Sequence, residues 1–257
     1  MLTLIGLGLF DEKDLTLRGL EEARGADKVY IELYTTVWHG NIKNLEKLLG
    51  KKIDILKRKD LEENSDKILE DAKNQNISIF IGGDPLVATT HSAILLEAKK
   101  QGIKTKIIHN ASIISAIAET GLHIYKFGPS VTIPFPEKIK GKLPESIYDV
   151  IKMNKTRGLH TLCLLDVDAD QGKFMSANEG MKILLELESK RKEDVVDLGT
   201  EVVIFARVGS ENPMIVYGKV KNLIEKTFGQ PPMILILPGI LHFTEKEYLS
   251  LLKNNSL

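Results

Sequence analysis

The chemistry-bearing stretch of this 257-residue chain is ISIFIGGDPLVATTH, in which Gly82, Gly83, Asp84 and Pro85 follow a short apolar run. The two glycines let a ligand approach the main chain closely. Pro85 fixes its own φ and pushes Asp84 out of the helical region. A phosphate loop wants GxxxxGK[ST], with a lysine beside its glycines. Here the charge is negative. A carboxylate repels phosphate and suits an ammonium or sulfonium group, or the hydroxyls of a ribose. Asp84 also reads as the N-cap of a helix with Pro85 at its first position, and the motif alone leaves both readings open.

Other residues that could do chemistry point nowhere as specific. The six histidines, His39, His91, His109, His123, His160 and His242, form no HExxH, and with Cys163 they form no zinc-ligand spacing, so no metal is expected. His91 follows Thr89 and Thr90 at an expected helix start, where a cation is disfavoured, and reads as structural or supporting. No GxSxG elbow occurs. Cys163, the single cysteine, lies in an apolar run and reads as a core thiol in a reducing compartment. Asp166, Asp168 and Asp170 start like a calcium loop, but Gln171 stands at its glycine position and Ala177 at its glutamate position. They read as a solvated strand end. Lys190-Arg191-Lys192 reads as an exposed helix end. Lys plus Arg equals Asp plus Glu at 35 each, so no global field favours nucleic acid or an acidic membrane. The apolar N-terminus lacks a basic segment before it, and no run approaches the ~20 apolar residues of a membrane helix. A cytoplasmic protein is expected, with neither nucleic acid nor membrane as partner.

These residues need elements to position them. A strand over 2–7 ends at Gly6-Leu7-Gly8-Leu9, and a helix over 14–23 follows, capped by Thr16 or Asp14. The glycine pair opens like a dinucleotide fingerprint, but the third glycine would fall on Asp11. It reads equally as a tight turn leaving a core strand or as a ligand contact. Strands over 28–34, 52–56, 77–81 and 104–109 alternate with helices over 41–49, 65–74, 86–100 and 113–120. That alternation argues for a mainly parallel sheet, whose ligands bind outside the carboxyl ends of the strands. The turns at Gly8-Leu9, at 82–87 and at Ala111-Ser112-Ile113 all fall at such ends. The proline-bearing stretch GLHIYKFGPSVTIPFPE marks a junction, so domains over 1–122 and 123–257 are expected. In the second, helices over 147–154, 177–191 and 220–228 accompany strands over 161–167, 201–208, 214–219 and 233–237. GSENP joins two of these strands as a hairpin, which predicts a mixed sheet. The fold class is α/β, in two α/β domains.

Gly6-Leu7-Gly8-Leu9 before DLTLRGLEEA, followed by ADKVYIELYT and GGDPLVATTH, resembles the tetrapyrrole methylase superfamily of S-adenosylmethionine-dependent methyltransferases. TGLHIYKFGPS, RGLHTLCLLD and PPMILILPGILH carry the resemblance through the second half, toward the branch that acts in diphthamide synthesis. The resemblance implies a cofactor cleft between two domains, a homodimer, and S-adenosyl-L-methionine as methyl donor. It also implies repeated methylation of the amine of a modified histidine on elongation factor 2. By motif it assigns cofactor contacts to Leu9 in the first turn, Asp84 and Val87 in the GGDP turn, and Ser112 and Ile113 in the ASI segment. From the second half it assigns Leu165, Val208 and Met233. Because such a cofactor brings the reactive methyl, alignment is the protein's main task. No general base is identified. A corrin or RNA methyltransferase of the same superfamily, or a nucleotide-type binding module without chemistry, are the alternative readings.

Overall fold

The computed structural model describes residues 1–142 and 144–254, with all side chains in them except those of Asp170, Lys253 and Asn254. It divides into two compact units, Met1–Ile114 and Ser115–Leu257. The division precedes the proline-bearing stretch because the 3-10 turn Ile117–Thr120 packs on a strand of the second unit.

The first unit is a five-stranded parallel sheet. Its strands are β1 (Leu2–Gly6), β2 (Lys28–Glu32), β3 (Asp54–Leu56), β4 (Ile77–Ile81) and β5 (Thr105–Ile108), in the order β3-β2-β4-β1-β5. Every residue of β1 and β4 is buried, as expected of central strands covered on both faces. Helices α1 (Leu17–Gly25), α2 (Ile42–Leu49), α3 (Arg58–Glu62), α4 (Asp66–Asn74), α5 (Ser92–Lys100) and the single turn α6 (Ile113–Ala116) connect them. The caps are local. Thr16 Oγ1 accepts from the Gly19 N–H, and Asn41 Oδ1 accepts from Lys43 and Asn44. Ile5, Leu7, Val29, Ile31, Leu45, Phe80 and Ile108 form the core on one face. One expectation fails here. The helix after β4 begins at Ser92, not at residue 86, because Asp84 and Pro85 turn the chain and Ala88 takes a left-handed φ of 55°. Asp84 is therefore not its N-cap.

The second unit is a mixed sheet of β6 (Val131–Ile133), β7 (Thr161–Leu165), β10 (Glu201–Ala206), β11 (Met214–Lys219) and β12 (Met233–Leu237), ordered β11-β10-β12-β7-β6. The pair β8 (Val167–Asp168) and β9 (Lys173–Phe174) stands apart as a small ribbon. Only β6 and β7 run parallel; the hairpin β10–β11 is antiparallel, as GSENP predicts. Helices α7 (Glu145–Thr156), α8 (Ala177–Arg191), α9 (Val220–Leu223) and α10 (Phe243–Asn254) complete it. Ile133, Tyr148, Cys163, Leu184, Ile204 and Leu235 pack in its core. Cys163 is fully buried, and burial pushes its thiol up, so the thiolate that would react is disfavoured. Asp166 is not solvated as expected: it accepts from the Phe135 N–H and pairs with Lys138 at 2.8 Å. Asp168 accepts from the Gln171 N–H, and the side chain of Asp170 lies outside the described residues.

Glu188 staples the end of α8. Its two oxygens accept the backbone N–H groups of Glu193, Asp194, Val195 and Val196 and the Tyr148 hydroxyl. Burial alone would raise this carboxyl, but the Val196, Val195 and Asp194 N–H groups and Tyr148 outweigh it and hold it at about 2, below the ordinary 4.5. The bonds to the ionised form therefore stabilise the fold above pH 4.5, and that contribution is lost as pH falls from there to about 2. Glu188→Gln is expected to cost about 2 kcal/mol at neutral pH, the scale of bonds to a charged acceptor. Urea denaturation should show the gap between variant and parent closing as the carboxyl protonates. A gap unchanged down to about pH 2 would contradict the assignment.

Candidate cofactor site

Three turns meet at the carboxyl edge of the first sheet. The turn after β1 and the turn after β4 pair through backbone alone: Gly83 N–H donates to the Gly8 carbonyl at 2.8 Å, and Gly8 N–H to the Gly83 carbonyl at 3.2 Å. The approach requires bare backbone. A Cβ on Gly6 would stand 2.6 Å from the Gly83 oxygen and 2.7 Å from Asn110 Cβ. Gly83 holds a φ of +66°, which L side chains rarely adopt. The spacing of Gly6 and Gly8 thus serves turn-on-turn packing within the unit.

Asp84 ties the second turn to the third. It is 6 % exposed, and Oδ1 accepts the Leu86 N–H at 3.0 Å in an Asx-turn. Oδ2 accepts the Asn110 N–H at 3.2 Å and faces His109 Nδ1 at 2.8 Å. Asn110 Nδ2 in turn donates to the carbonyls of Gly6 and Asp14 at 2.9 and 3.0 Å. The Asp14 carboxylate then accepts the N–H groups of Leu9 and Phe10, which fixes the first turn. Ser112 is buried, with its Cα 3.9 Å and its Cβ 3.8 Å from where a Gly83 Cβ would sit. Leu9, Val87 and Ile113 are half-buried. The first unit therefore brings together Leu9, Asp84, Val87, Ser112 and Ile113: one buried carboxylate and one hydroxyl among partly exposed aliphatic side chains. That composition suits a small, mainly apolar ligand with a cationic or hydroxyl-bearing part.

The remaining three expected residues lie at one end of the second sheet. Ile234 pairs with Leu164 and Met233 with Ala206, so Leu165 closes β7, Met233 opens β12, and Val208 follows β10. All three side chains are buried, and Met233 Sδ accepts the Ala177 N–H at 3.2 Å. Arg207, with a φ of 54°, turns the chain just before Val208 and is held by the carbonyls of Asn212 and Phe228.

Sequence reasoning missed His109, Asn110 and Asp14 as parts of this site. The position of His109 and Asn110 directly after β5, at the same sheet edge as the GGDP turn, was the available signal. His109 is largely exposed, and donating Nδ1–H to Asp84 leaves Nε2 for another partner. His160 and His123 instead serve Glu245. That buried carboxylate accepts His160 Nε2–H at 3.0 Å, the N–H groups of His123 and His242, and a bond from Lys126. Burial by itself would raise Glu245, but Lys126 and the His123 and His242 N–H groups hold it at about 2. Among the described residues no grouping of three His, Cys, Asp or Glu could hold a metal ion, and no helix is long and apolar enough to cross a membrane.

Comparison with known proteins covers nearly the whole chain. The family model described as Tetrapyrrole (Corrin/Porphyrin) Methylases matches residues 1–224. A protein of Methanocaldococcus jannaschii named diphthine synthase is 50 % identical over 99 % of this chain and 100 % of its own length. Another of that name from Methanococcus vannielii is 48 % identical over 99 % of this chain and all of its own. A crystal structure of diphthine synthase superposes with a TM-score of 0.88 at 37 % identity, covering 98 % of this chain and 96 % of that one. The chain belongs to the tetrapyrrole methylases and, within them, to the diphthine synthase family.

Proposed function

We infer that this protein is an S-adenosylmethionine-dependent methyltransferase of diphthamide biosynthesis, methylating the amine of the modified histidine of elongation factor 2. The observation that carries this reading is the end-to-end 50 % identity to a protein named diphthine synthase. The three turns joined at one sheet edge, by the Gly8–Gly83 backbone pair, by Asp84 and by Asn110, support it as well. S-adenosyl-L-methionine, when bound, supplies an electrophilic methyl group, so the acceptor amine needs only to be neutral and aligned.

The residues present fit that donor. Asp84 offers a buried acceptor for a cationic or hydroxyl-bearing part, Gly83 leaves the backbone uncovered, and Ser112 adds a hydroxyl. Leu9, Val87 and Ile113 offer aliphatic surface. Leu165, Val208 and Met233 are proposed as the second unit's contribution, through backbone and side-chain edges since their side chains are packed. His109 acts as a positioning residue by orienting the Asp84 carboxylate. A homodimer in the cytoplasm, with elongation factor 2 as protein substrate, completes the proposal.

Incubation with methyl-labelled S-adenosylmethionine and elongation factor 2 bearing the diphthamide precursor should transfer label to the protein. Transfer to a corrin or RNA instead, or donor binding with no transfer at all, would overturn the assignment. Asp84→Asn is expected to weaken donor binding roughly tenfold or more in isothermal titration, the scale of one charge-assisted bond. Unchanged affinity with a lowered unfolding midpoint would leave the carboxylate with the turn alone. His109→Ala should reduce donor affinity less than Asp84→Asn, since the Leu86 and Asn110 N–H groups still hold the carboxylate. A larger loss in His109→Ala would mean that the imidazole itself touches a ligand.

A further inference from the structure

A second polar cluster lies beside the GGDP turn and takes no part in the site described above. Glu32, the last residue of β2, is 0 % exposed, Tyr34 is 5 % and His91 is 3 %. The Tyr34 hydroxyl and both ring nitrogens of His91 have no hydrogen-bond partner among the described residues. His91 Nε2 stands 3.8 Å from Glu32 Oε1, beyond hydrogen-bond reach, and the Tyr34 and His91 rings lie with centroids 6.4 Å apart. The Pro85 carbonyl is near the imidazole but outside hydrogen-bonding geometry. Burial disfavours the charged ring, so His91 presents one N–H and one lone pair. Buried polar groups in native proteins are paired with protein or with ordered water.

A direct bond between His91 and Glu32 would satisfy only one of these atoms. It would leave the Tyr34 hydroxyl and the other imidazole nitrogen bare. Water, with two donors and two acceptor sites, can serve all of them together with Glu32. The Glu32 carboxylate is already shaped to hold such a partner. It is fixed by the N–H groups of Tyr34 and Thr35 and by the Thr35 hydroxyl, and the Arg58 guanidinium lies over the Tyr34 ring at 4.9 Å.

The cluster also sits where the donor turn needs support. The 85–91 segment is not helical and carries strain at Ala88, whose φ is 55°. Its near end is tied by the Gly8–Gly83 pairing and by Asp84. Its far end is His91. The strap that Glu32 holds packs on the same turn from the side: a Cβ on Gly82 would lie 2.1 Å from Thr36 Cγ2. One carboxylate thus organises the strap against Gly82 and faces the residue that closes the loop.

We propose that Glu32, Tyr34 and His91 bind ordered water inside the first unit, and that this hydrated cluster positions the 82–87 turn for the methyl donor. The second half rests on the reading of that turn as the donor site. His91 is here a positioning residue that touches no reacting atom.

Two measurements test it. A crystal structure of the wild-type protein at a resolution that places solvent should show water bridging Tyr34 Oη and a His91 ring nitrogen. Side chains bonded to each other with no water between them would overturn the hydration site. In parallel, S-adenosylmethionine affinity is measured by isothermal titration for wild type, His91→Leu and His91→Gln, with circular dichroism as the check on folding. His91→Leu should bind at least tenfold more weakly, and His91→Gln, which keeps a donor and an acceptor, should recover most of that loss. Wild-type affinity in His91→Leu, or no recovery in His91→Gln, would overturn the positioning role. If His91→Leu does not fold, a His91→Gln protein that binds tenfold more weakly than wild type overturns it as well. Failure of the wild-type protein to bind the donor would instead strike the cofactor reading, with the crystallographic result standing separately.

Discussion

The backbone pairing of Gly8 with Gly83 is the constraint on which the candidate site depends. Two parallel strands, β1 and β4, run side by side in the middle of the first sheet and must release their chains in different directions. Side chains at both turns would force them apart; a Cβ on Gly6 would already collide with the Gly83 carbonyl. With the turns in contact, Asp84 comes within reach of β5, and the third turn can be tied in by side chains. The order of dependence is therefore fixed: backbone contact first, carboxylate second, candidate site last.

Asp84 shows why one residue can look structural and functional at once. Its carboxylate closes an Asx-turn, accepts a backbone N–H from the next strand end, and meets an imidazole. A carboxylate held this way needs no reorganisation to meet a cation, which is the advantage of a preorganised site over a mobile acid on the surface. The N-cap reading and the ligand reading were rivals in the sequence because both need an acid before Pro85. The structure replaces the cap with a tether between the second and third turns.

Much of the fold was legible in the sequence, and the parts that were not share a physical cause. Helix 177–191 and the strands 214–219 and 233–237 fall where periodicity and turn residues put them, since local pattern and burial agree there. The start of the helix after β4 was misplaced because Asp-Pro signals a turn and a helix start with the same residues. The long C-terminal helix escaped notice because Glu245, in its first turn, points inward to Lys126 and His160 from distant parts of the chain. The site divides the same way. The three turns could be placed by the rule that ligands gather at strand ends. The bond from His109 to Asp84 spans 25 positions, and no local pattern carries it.

The titratable groups sort by what surrounds them, and the sorting bears on mechanism. Glu188 and Glu245 are each saturated by several donors and sit at about 2, so both are anchors that remain ionised and unavailable for proton transfer near neutrality. His160 is lowered by burial, although its bond to Glu245 opposes this, and both its ring nitrogens are engaged, one by Glu245 and one by the Gly239 N–H. Cys163 is packed in the core. What remains at the edge of the first sheet is the Asp84–His109 pair, whose carboxylate is already committed to orientation, and the buried Glu32 and His91, whose charged forms burial disfavours. A donor that carries its own activated methyl asks for little else. Turns, tethers and bare backbone that hold and align a ligand suit such a donor better than a set of mobile acids and bases would.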